Sequence, residues 1–387
     1  METCFTKKEH ELVLNLCRFL GPNKERIAEL AGSGPDWAYV LGQLLYNRMG
    51  GAAHAVFREA GFPGRPSREF RGALKTVHDD NKRRGAAYAE ALESLATILK
   101  NADFPYAALK GAVLCGLYPE GIRTSNDVDL LVDGKDIGNI SALLAANGFL
   151  RGYVRNGEFI ESTRSEIVSA RLNRGETIPF VRKNSSPAMP YIEVDVNFSL
   201  DFKARQESGC VSDLLRSTVA NGGNPGGLRT LPPERFLIHL CAHLYKEASI
   251  KSWVDMGRDQ ALYKYADIYL MLRRAEIDHA DLLGAIKKYG QEKPCYYAFK
   301  SAQALFGIKD ARLDSLLGDI EPVDLGFLCE VRDPSGGGVF RHDCYVTDWV
   351  FHPNRKEELY EALDLPCCET PRTPGETHFL KRFNQIV

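Results

Sequence analysis

The most constraining feature of the sequence is the triplet Asp127-Val128-Asp129, which leads directly into the apolar run Leu130-Leu131-Val132. An apolar run of this length predicts a buried strand. Side chains alternate between the two faces of a strand, so both carboxylates point the same way, roughly 6–7 Å apart. Two negative charges on one face repel unless a cation lies between them, and Mg²⁺ binds one or two carboxylates together with substrate phosphates. The alternative is a solvated strand end with two surface acids.

A second polar segment lies upstream of this triplet. A strand over residues 105–109 is predicted to lead into Lys110 and Gly111 and then into a helix that ends near Tyr118. Glycine lets the backbone approach a phosphate closely, and a helix N-terminus favours anions. Lys110 either meets a phosphate or pairs with an acid. Arg123 either binds a phosphate in a bidentate manner or pairs with one of the two aspartates.

Residues 191–200 alternate strictly between apolar and polar side chains, which predicts a strand with two different faces. Ile192, Val194, Val196 and Phe198 share one face, and Glu193, Asp195 and Asn197 share the other. An acidic strand face of this kind is usually solvated. It becomes a candidate for chemistry when a neighbouring strand carries further carboxylates.

Several segments, taken in order, resemble a known family. They are Leu109-Lys110-Gly111, Tyr118, Gly121-Ile122-Arg123, Asp127-Val128-Asp129-Leu130-Leu131-Val132, Val194-Asp195-Val196-Asn197-Phe198-Ser199-Leu200, the helix that carries His243, and Ala266-Asp267-Ile268-Tyr269-Leu270. This order is similar to that of the uncharacterised bacterial nucleotidyltransferase family of the DNA polymerase β superfamily, and it covers roughly residues 85 to 275. The chain departs from the family pattern at Asn197, where the family has His, and at Phe198, where it has Trp. The role of that His is therefore in doubt here.

The resemblance implies an α+β fold, with a nucleotidyltransferase-like mixed sheet and helices, flanked by N-terminal and C-terminal helical units. It also implies two Mg²⁺ ions on Asp127, Asp129 and Asp195, with Glu193 as the alternative third ligand. The residues expected to bind the nucleotide, ATP before other nucleoside triphosphates, are Lys110, Gly111, Arg123, Ser125 and His243. We therefore expect these residues to carry the site.

The activity that the resemblance implies is transfer of a nucleoside monophosphate to a small-molecule acceptor with release of pyrophosphate. Two alternatives stay open, namely transfer to a protein side chain and a non-catalytic nucleotide-binding scaffold. A third, a zinc hydrolase built on His239 and His243, lacks the Glu of the His-Glu-x-x-His signature and has no evident third ligand.

Composition excludes other classes of protein. With 387 residues and a formal net charge of −2, the chain has no global basic field, so nucleic-acid binding is not expected. No apolar run approaches the roughly 18–20 residues of a membrane span, and the N-terminus has no apolar signal core. The ten cysteines include no Cys-x-x-Cys pair. These features predict a cytoplasmic protein without a zinc site or a disulfide framework.

The expected organisation is an N-terminal helical unit over 1–66, a catalytic core over 67–230, a helical domain over 231–308 and a C-terminal extension over 309–387. A long helix is predicted from Arg68 to Ala102. Its charged first half is interpreted as a solvated face, with lining of a nucleotide cleft as the alternative. Strands are predicted at Phe149–Val154, Phe159–Glu161, Glu166–Leu172, Thr177–Val181 and Tyr191–Phe198, and residues 345–351 are strand-like.

Overall fold

The structure of the protein, a computed structural model, describes residues 7–173, 175–200, 209–220, 225–334 and 336–362. The chain divides into two compact units. One comprises Thr76–Leu240, and the other combines Met1–Lys75 with Cys241–Val387. In the described part of the chain, no helix has both the length and the apolar character that crossing a membrane requires.

The α-helices alternate with short loops and turns along the described chain. They are α1 (Lys8–Cys17), α2 (Lys24–Gly32), α3 (Trp37–Tyr46), α4 (Gly50–Glu59), α5 (Arg68–Leu99), α6 (Gly111–Leu114), α7 (Ile137–Ala146), α8 (Arg164–Asn173), α9 (Gly209–Arg216), α10 (Pro233–Ala248), α11 (Lys251–Asp255), α12 (Leu262–Arg274), α13 (His279–Tyr289), α14 (Glu292–Phe306), α15 (Ala311–Asp319) and α16 (Val346–Trp349). Short 3₁₀ segments lie at Gly134–Asp136, Pro225–Gly227, Gly326–Cys329 and Arg355–Glu358.

The strands form two sheets. They are β1 (Tyr106–Ala108), β2 (Asp127–Val132), β3 (Leu150–Arg155), β4 (Glu158–Glu161), β5 (Phe180–Lys183), β6 (Tyr191–Asn197), β7 (Val219–Ala220), β8 (Arg229–Thr230), β9 (Glu330–Arg332), β10 (Val339–Arg341) and β11 (Tyr360–Glu361). Among the described residues, eight strands form one sheet in the order β4-β3-β5-β6-β2-β1-β8-β7, and three form a second in the order β11-β10-β9. The large sheet is mixed, because β2 runs parallel to β6 and antiparallel to β1. The predicted α+β class with a mixed sheet is confirmed.

The core of the unit Thr76–Leu240 lies against one face of the large sheet. Alternate residues of the central strands enter this core, among them Val128, Leu130, Val194 and Val196, all fully buried. The C-terminal half of α5 covers them with apolar residues spaced three and four apart, as expected of an amphipathic helix. Those residues are Ala87, Tyr88, Ala91, Leu92, Leu95, Ala96, Ile98 and Leu99. The opposite face of β2 and β6 carries the polar side chains of these strands, together with Leu131 and Tyr191.

The predicted strand at Glu166–Leu172 is wrong, because these residues belong to helix α8. The Thr163 hydroxyl accepts a hydrogen bond from the Glu166 amide at 3.3 Å, and the Glu166 carboxylate accepts one from the Thr163 amide at 2.8 Å. This reciprocal pair is a capping box, which starts a helix. The Thr-x-x-Glu spacing was visible in the sequence and outweighs the β-branched residues that suggested a strand.

The prediction that residues 345–351 are strand-like is also wrong. Val346–Trp349 form the one-turn helix α16, in which the amides of Asp348 and Trp349 both donate to the Tyr345 carbonyl. Val346, Trp349 and Val350 are buried and stand three and four residues apart, which is helical spacing. The helix expected up to Tyr118 is shorter than predicted and ends at Leu114.

A buried ion pair lies in the unit formed by Met1–Lys75 and Cys241–Val387. The Arg355 guanidinium donates to Asp259 Oδ1 from Nε at 3.0 Å and from Nη2 at 2.7 Å. The two side chains are 1% and 0% exposed. Arg355 also donates to the Tyr46 hydroxyl and the Gln260 carbonyl, both at 3.1 Å. Arg355 therefore joins segments that are far apart in the sequence.

We expect Arg355→Met to lower the free energy of unfolding by about 3–5 kcal/mol, because it leaves the Asp259 carboxylate buried without its cation. Urea unfolding followed by fluorescence measures this. The matched control is Lys24→Met, which removes an exposed partner of Glu59 and is expected to cost at most about 1 kcal/mol. Equal losses in the two variants would contradict the assignment of a structural role to this pair.

Candidate functional site

Strands β2 and β6 bring four carboxylates together on one face of the large sheet, two from each strand. In the parallel register, Asp127 is the partner of Glu193 and Asp129 is the partner of Asp195. Neighbouring strands lie about 4.8 Å apart, so the two members of each pair lie side by side at close range. The carboxylates occupy the sheet face opposite the apolar core. We call this set the carboxylate row.

Two side chains donate to the carboxylate of Asp129, which is 3% exposed. Lys110 Nζ lies 2.7 Å from Asp129 Oδ1, and Asn197 Nδ2 donates to the same oxygen at 3.3 Å. The Leu109 amide donates to the Asp129 carbonyl at 2.9 Å, so the strand ends are tied together. Lys110 itself has φ 42° and ψ −117°, a conformation that L-residues rarely adopt. Of the two alternatives for Lys110, this structure shows pairing with an acid.

Two members of the row, Asp195 and Glu193, have a raised pKa. Burial raises the pKa of Asp195 well above its ordinary value, and the charges of Asp129, Asp127 and Glu176 raise it further, whereas Lys110 lowers it. Burial also raises the pKa of Glu193, with a further contribution from Asp127. Glu176, which forms a β-bridge with Asn197, was not recognised in the sequence as part of this group. Its position depends on the tertiary fold.

The donor chemistry of the row fits a hard divalent cation. Carboxylate oxygens are the ligands that Mg²⁺ prefers, and the surplus negative charge is what such an ion offsets. Within the described residues, no group of three or more His, Cys, Asp and Glu side chains is arranged to hold a metal ion. The ammonium of Lys110 instead occupies Asp129 Oδ1.

The turn before β2 brings further predicted residues to Asp127. Ser125 Oγ donates to Asp127 Oδ1 at 3.0 Å. Gly111 packs directly against Ser125, since a Cβ at position 111 would lie 2.4 Å from Ser125 Oγ. Arg123 Nη1 donates to the carbonyl of Thr124 in the same turn. The structure therefore gathers Gly111, Ser125 and Asp127 at one place and directs a donor of Arg123 to the turn itself.

Helix α5 holds this turn in place through its polar face. Tyr88 donates from its buried hydroxyl to the Asp127 carbonyl at 2.9 Å. Asn81 Nδ2 donates to the Gly121 carbonyl at 3.1 Å, and Arg84 Nη2 donates to Asn126 Oδ1 at 2.5 Å. From the sequence, the charged half of this helix is predicted mainly to be a solvated face. The spacing of positions 81, 84 and 88 on one helical face was the available signal.

A pocket of about 180 Å³ opens beside the carboxylate row. Its polar lining comes from Arg84, Ser125, Asn126, Tyr191 and Glu193, and its apolar lining from Val154, Ala188, Met189 and Pro190. Arg84, in the charged half of α5, lines this pocket, and the alternative that this half lines a nucleotide cleft stays a prediction. The pocket thus joins the turn before β2 to the first residues of β6.

His243 lies in the unit formed by Met1–Lys75 and Cys241–Val387. Its Nε2 is 3.3 Å from Glu247 Oε2, and the same carboxylate oxygen is 2.8 Å from Lys264 Nζ. The role of His243 in nucleotide binding stays a prediction. The roles of Lys110, Gly111, Arg123, Ser125 and the three aspartates do so too, although the structure places most of them close together.

Comparison with known proteins identified a family whose model matches most of the chain. A family model described as "Uncharacterised nucleotidyltransferase" matches residues 33–307. The chain belongs to this family. Membership supports nucleotidyl transfer as the general chemistry of the protein. A search of curated proteins found no match to the chain.

One solved structure with similarity to the chain is that of an antigenic nucleotidyltransferase-like protein from Paracoccidioides brasiliensis. The two proteins are 17% identical, the match covers 57% of this chain and 96% of that one, and the TM-score is 0.29.

We expect Asp195→Asn to raise the thermal stability of the metal-free protein at pH 7. An acid whose pKa is raised on folding binds its proton more tightly in the folded state, so stability falls as pH rises above the ordinary value of 3.8. The side-chain amide in the variant Asp195→Asn does not ionise, so the variant does not lose stability in this way as the pH rises. A gain of about 1 kcal/mol, or about 2–4 °C, is expected at pH 7 and should vanish near pH 3.8.

The matched control for this variant is Asp103→Asn, which changes an exposed aspartate of the same unit and should leave the pH dependence as it is. Thermal unfolding is followed by circular dichroism from pH 3.5 to 8 in a chelating buffer. A lower melting temperature for Asp195→Asn at pH 7 would contradict the burial of an uncompensated charge at this position.

We expect Gly111→Ala to destabilise the protein by about 1–3 kcal/mol, because the new Cβ overlaps Ser125 and approaches the Tyr88 hydroxyl. Gly85→Ala, in a helix position with no atom within 4 Å, is the control and is expected to stabilise slightly. Ser125→Gly in the Gly111→Ala background should restore part of the loss. Unfolding in urea measures all three, and a failure of the second change to restore stability would contradict the proposed clash.

Proposed function

We propose that the protein is a Mg²⁺-dependent nucleotidyltransferase that moves a nucleoside monophosphate from a nucleoside triphosphate, ATP above the others, to a hydroxyl of a small-molecule acceptor. The observation that carries the proposal is the carboxylate row on β2 and β6, with Lys110 and Gly111 at the adjoining end of β1. Membership of the uncharacterised nucleotidyltransferase family supports the general class of reaction.

In this proposal, Asp127, Asp129 and Asp195 hold two Mg²⁺ ions. When bound, the metal supplies neutralising charge for the phosphates and a lowered pKa for the acceptor hydroxyl. Gly111 lets the triphosphate approach the start of α6, because it has no side chain. Lys110 exchanges Asp129 for a phosphate oxygen. Arg123 and Ser125 hold further phosphate oxygens from the turn before β2.

The reaction follows from these positions. The acceptor oxygen attacks the α-phosphorus, a new phosphorus–oxygen bond forms, and the bond to the oxygen that bridges to the β-phosphorus breaks. Pyrophosphate leaves, and the proton of the acceptor hydroxyl passes to a carboxylate oxygen of Asp195. Most of the rate enhancement comes from holding acceptor and nucleotide in line and from charge stabilisation.

A second candidate is a nucleotide-binding scaffold without catalysis. The observation in its favour is the ion pair between Lys110 and Asp129, which occupies a carboxylate oxygen that a catalytic metal would need. In the catalytic proposal, nucleotide binding removes the ammonium from this position. In the scaffold alternative, the ion pair persists when the nucleotide is bound.

We expect the protein to release pyrophosphate in the presence of Mg²⁺, one of ATP, CTP, GTP and UTP, and a pool of cell metabolites as acceptors. Asp127→Asn/Asp129→Asn should lower this rate by at least about 100-fold, since a metal contributes several kcal/mol of charge stabilisation. The assay measures pyrophosphate with a coupled enzyme. Asp103→Asn is the control and should retain the wild-type rate.

Nucleotide binding by calorimetry separates the two candidates. Release that the double variant loses supports the enzyme and names its nucleotide. Nucleotide binding by a wild-type protein that releases no pyrophosphate with protein or metabolite acceptors would favour the scaffold and contradict the catalytic proposal. Release that needs an added protein acceptor would instead assign the acceptor to a protein side chain.

A further inference from the structure

The pocket beside the carboxylate row lies on a definite side of the proposed reaction centre. Lys110 and Gly111 follow β1, and β1 pairs with one edge of β2. Glu193 belongs to β6, which pairs with the other edge of β2. The aspartates of β2 therefore stand between the proposed triphosphate position and the pocket that Glu193 lines.

Transfer of a phosphoryl group places the attacking and leaving oxygens roughly in line, on opposite sides of the phosphorus. A triphosphate at Lys110 and Gly111 directs its leaving pyrophosphate toward β1. The attacking group then arrives from the side of β6. Glu193 lies on that side, so the part of the pocket that Glu193 lines has the position of an acceptor, next to the proposed phosphates at Ser125.

The charges of the lining restrict what the pocket can hold. Glu193 is part-buried, and in the described part of the chain its carboxylate has no hydrogen-bond or ion-pair partner. Arg84 lines the same pocket but forms no ion pair with Glu193, and its recorded partner is Asn126. A desolvated carboxylate without a partner is stabilised by a bound cation. The unused donors of Arg84 suit the oxygens of a hydroxyl-bearing molecule.

We propose that this pocket is the acceptor subsite and that its ligand is a small hydroxyl compound with a protonated amine, an amino alcohol or amino sugar, whose ammonium is held by Glu193. The inference rests on the proposed function and names the acceptor class of that site. The pocket volume of about 180 Å³ is smaller than the roughly 300–1,000 Å³ of typical ligand pockets, which suits a compact molecule. Asn126 also lines this part of the pocket and offers its amide to the ligand.

The test measures binding without nucleotide or metal, so that it does not depend on catalysis. The probes are matched pairs that differ by the amine, glucosamine with glucose and serinol with glycerol, titrated into the full-length protein by calorimetry. The amine of at least one pair should bind about 10–100-fold more tightly than its neutral counterpart, because an ammonium–carboxylate hydrogen bond is charge-assisted. Glu193→Gln should abolish this preference while leaving the weak binding of the neutral compound unchanged.

The control variant is Glu161→Gln, an exposed position on strand β4, which should keep the preference. Three results would each overturn the proposal. They are no preference for the amine in either pair, a preference that survives Glu193→Gln, and loss of Mg²⁺ or free-nucleoside binding in Glu193→Gln, which would make Glu193 a metal ligand or part of a nucleobase site. Pyrophosphate release can fail while the preference for the amine persists, so the two proposals fail separately.

Discussion

The parallel pairing of β2 with β6 is the constraint on which the site depends. The register that sets Asp129 beside Asp195 also sets the apolar residues of both strands into the core on the opposite face. A slip of one residue would move the carboxylates into the core and the apolar side chains into the site, because side chains alternate strictly along a strand. Burial of the core therefore fixes the register, and the register forces like charges together. The clustering of carboxylates at the site is therefore accompanied by electrostatic repulsion among them.

Lys110 offsets part of this repulsion. Its ammonium pairs with Asp129 while its backbone adopts a positive φ of 42°. A conformation of this kind costs of order 1–3 kcal/mol and persists when surrounding contacts determine it. The Leu109–Asp129 hydrogen bond on one side and the start of α6 at Gly111 on the other provide those contacts. The strained backbone and the ion pair thus occur at the same residue, the one to which the proposed function assigns a phosphate oxygen.

The sequence predicted the parts of this site that depend on local periodicity. The common face of Asp127 and Asp129, and that of Glu193 and Asp195, follow from strand alternation alone. Which carboxylates face each other depends on register, a long-range property. The contact of Arg84 with the turn before β2 joins positions 42 residues apart, so helical spacing suggested a face but not its partner. The fold class was predictable because the order of the predicted elements and motifs is characteristic of it. Helix α8 was wrongly predicted as a strand, although the residues of its capping box are present in the sequence.

The replacement of the family His by Asn197 has a physical consequence for this site. The Asn197 amide donates to Asp129 at 3.3 Å and does not ionise. A histidine at this position would change its charge near neutral pH. With an amide here, the cation that the structure pairs with the row is Lys110, at Asp129 Oδ1. Burial and neighbouring carboxylates raise the pKa of Asp195 and of Glu193. Positive charge from bound ligands would offset the repulsion among these groups. The proposed divalent ion at the aspartates and the proposed ammonium at Glu193 would supply that charge without competing for the same oxygens, and this division links the proposed chemistry of the row to the proposed ligand of the pocket.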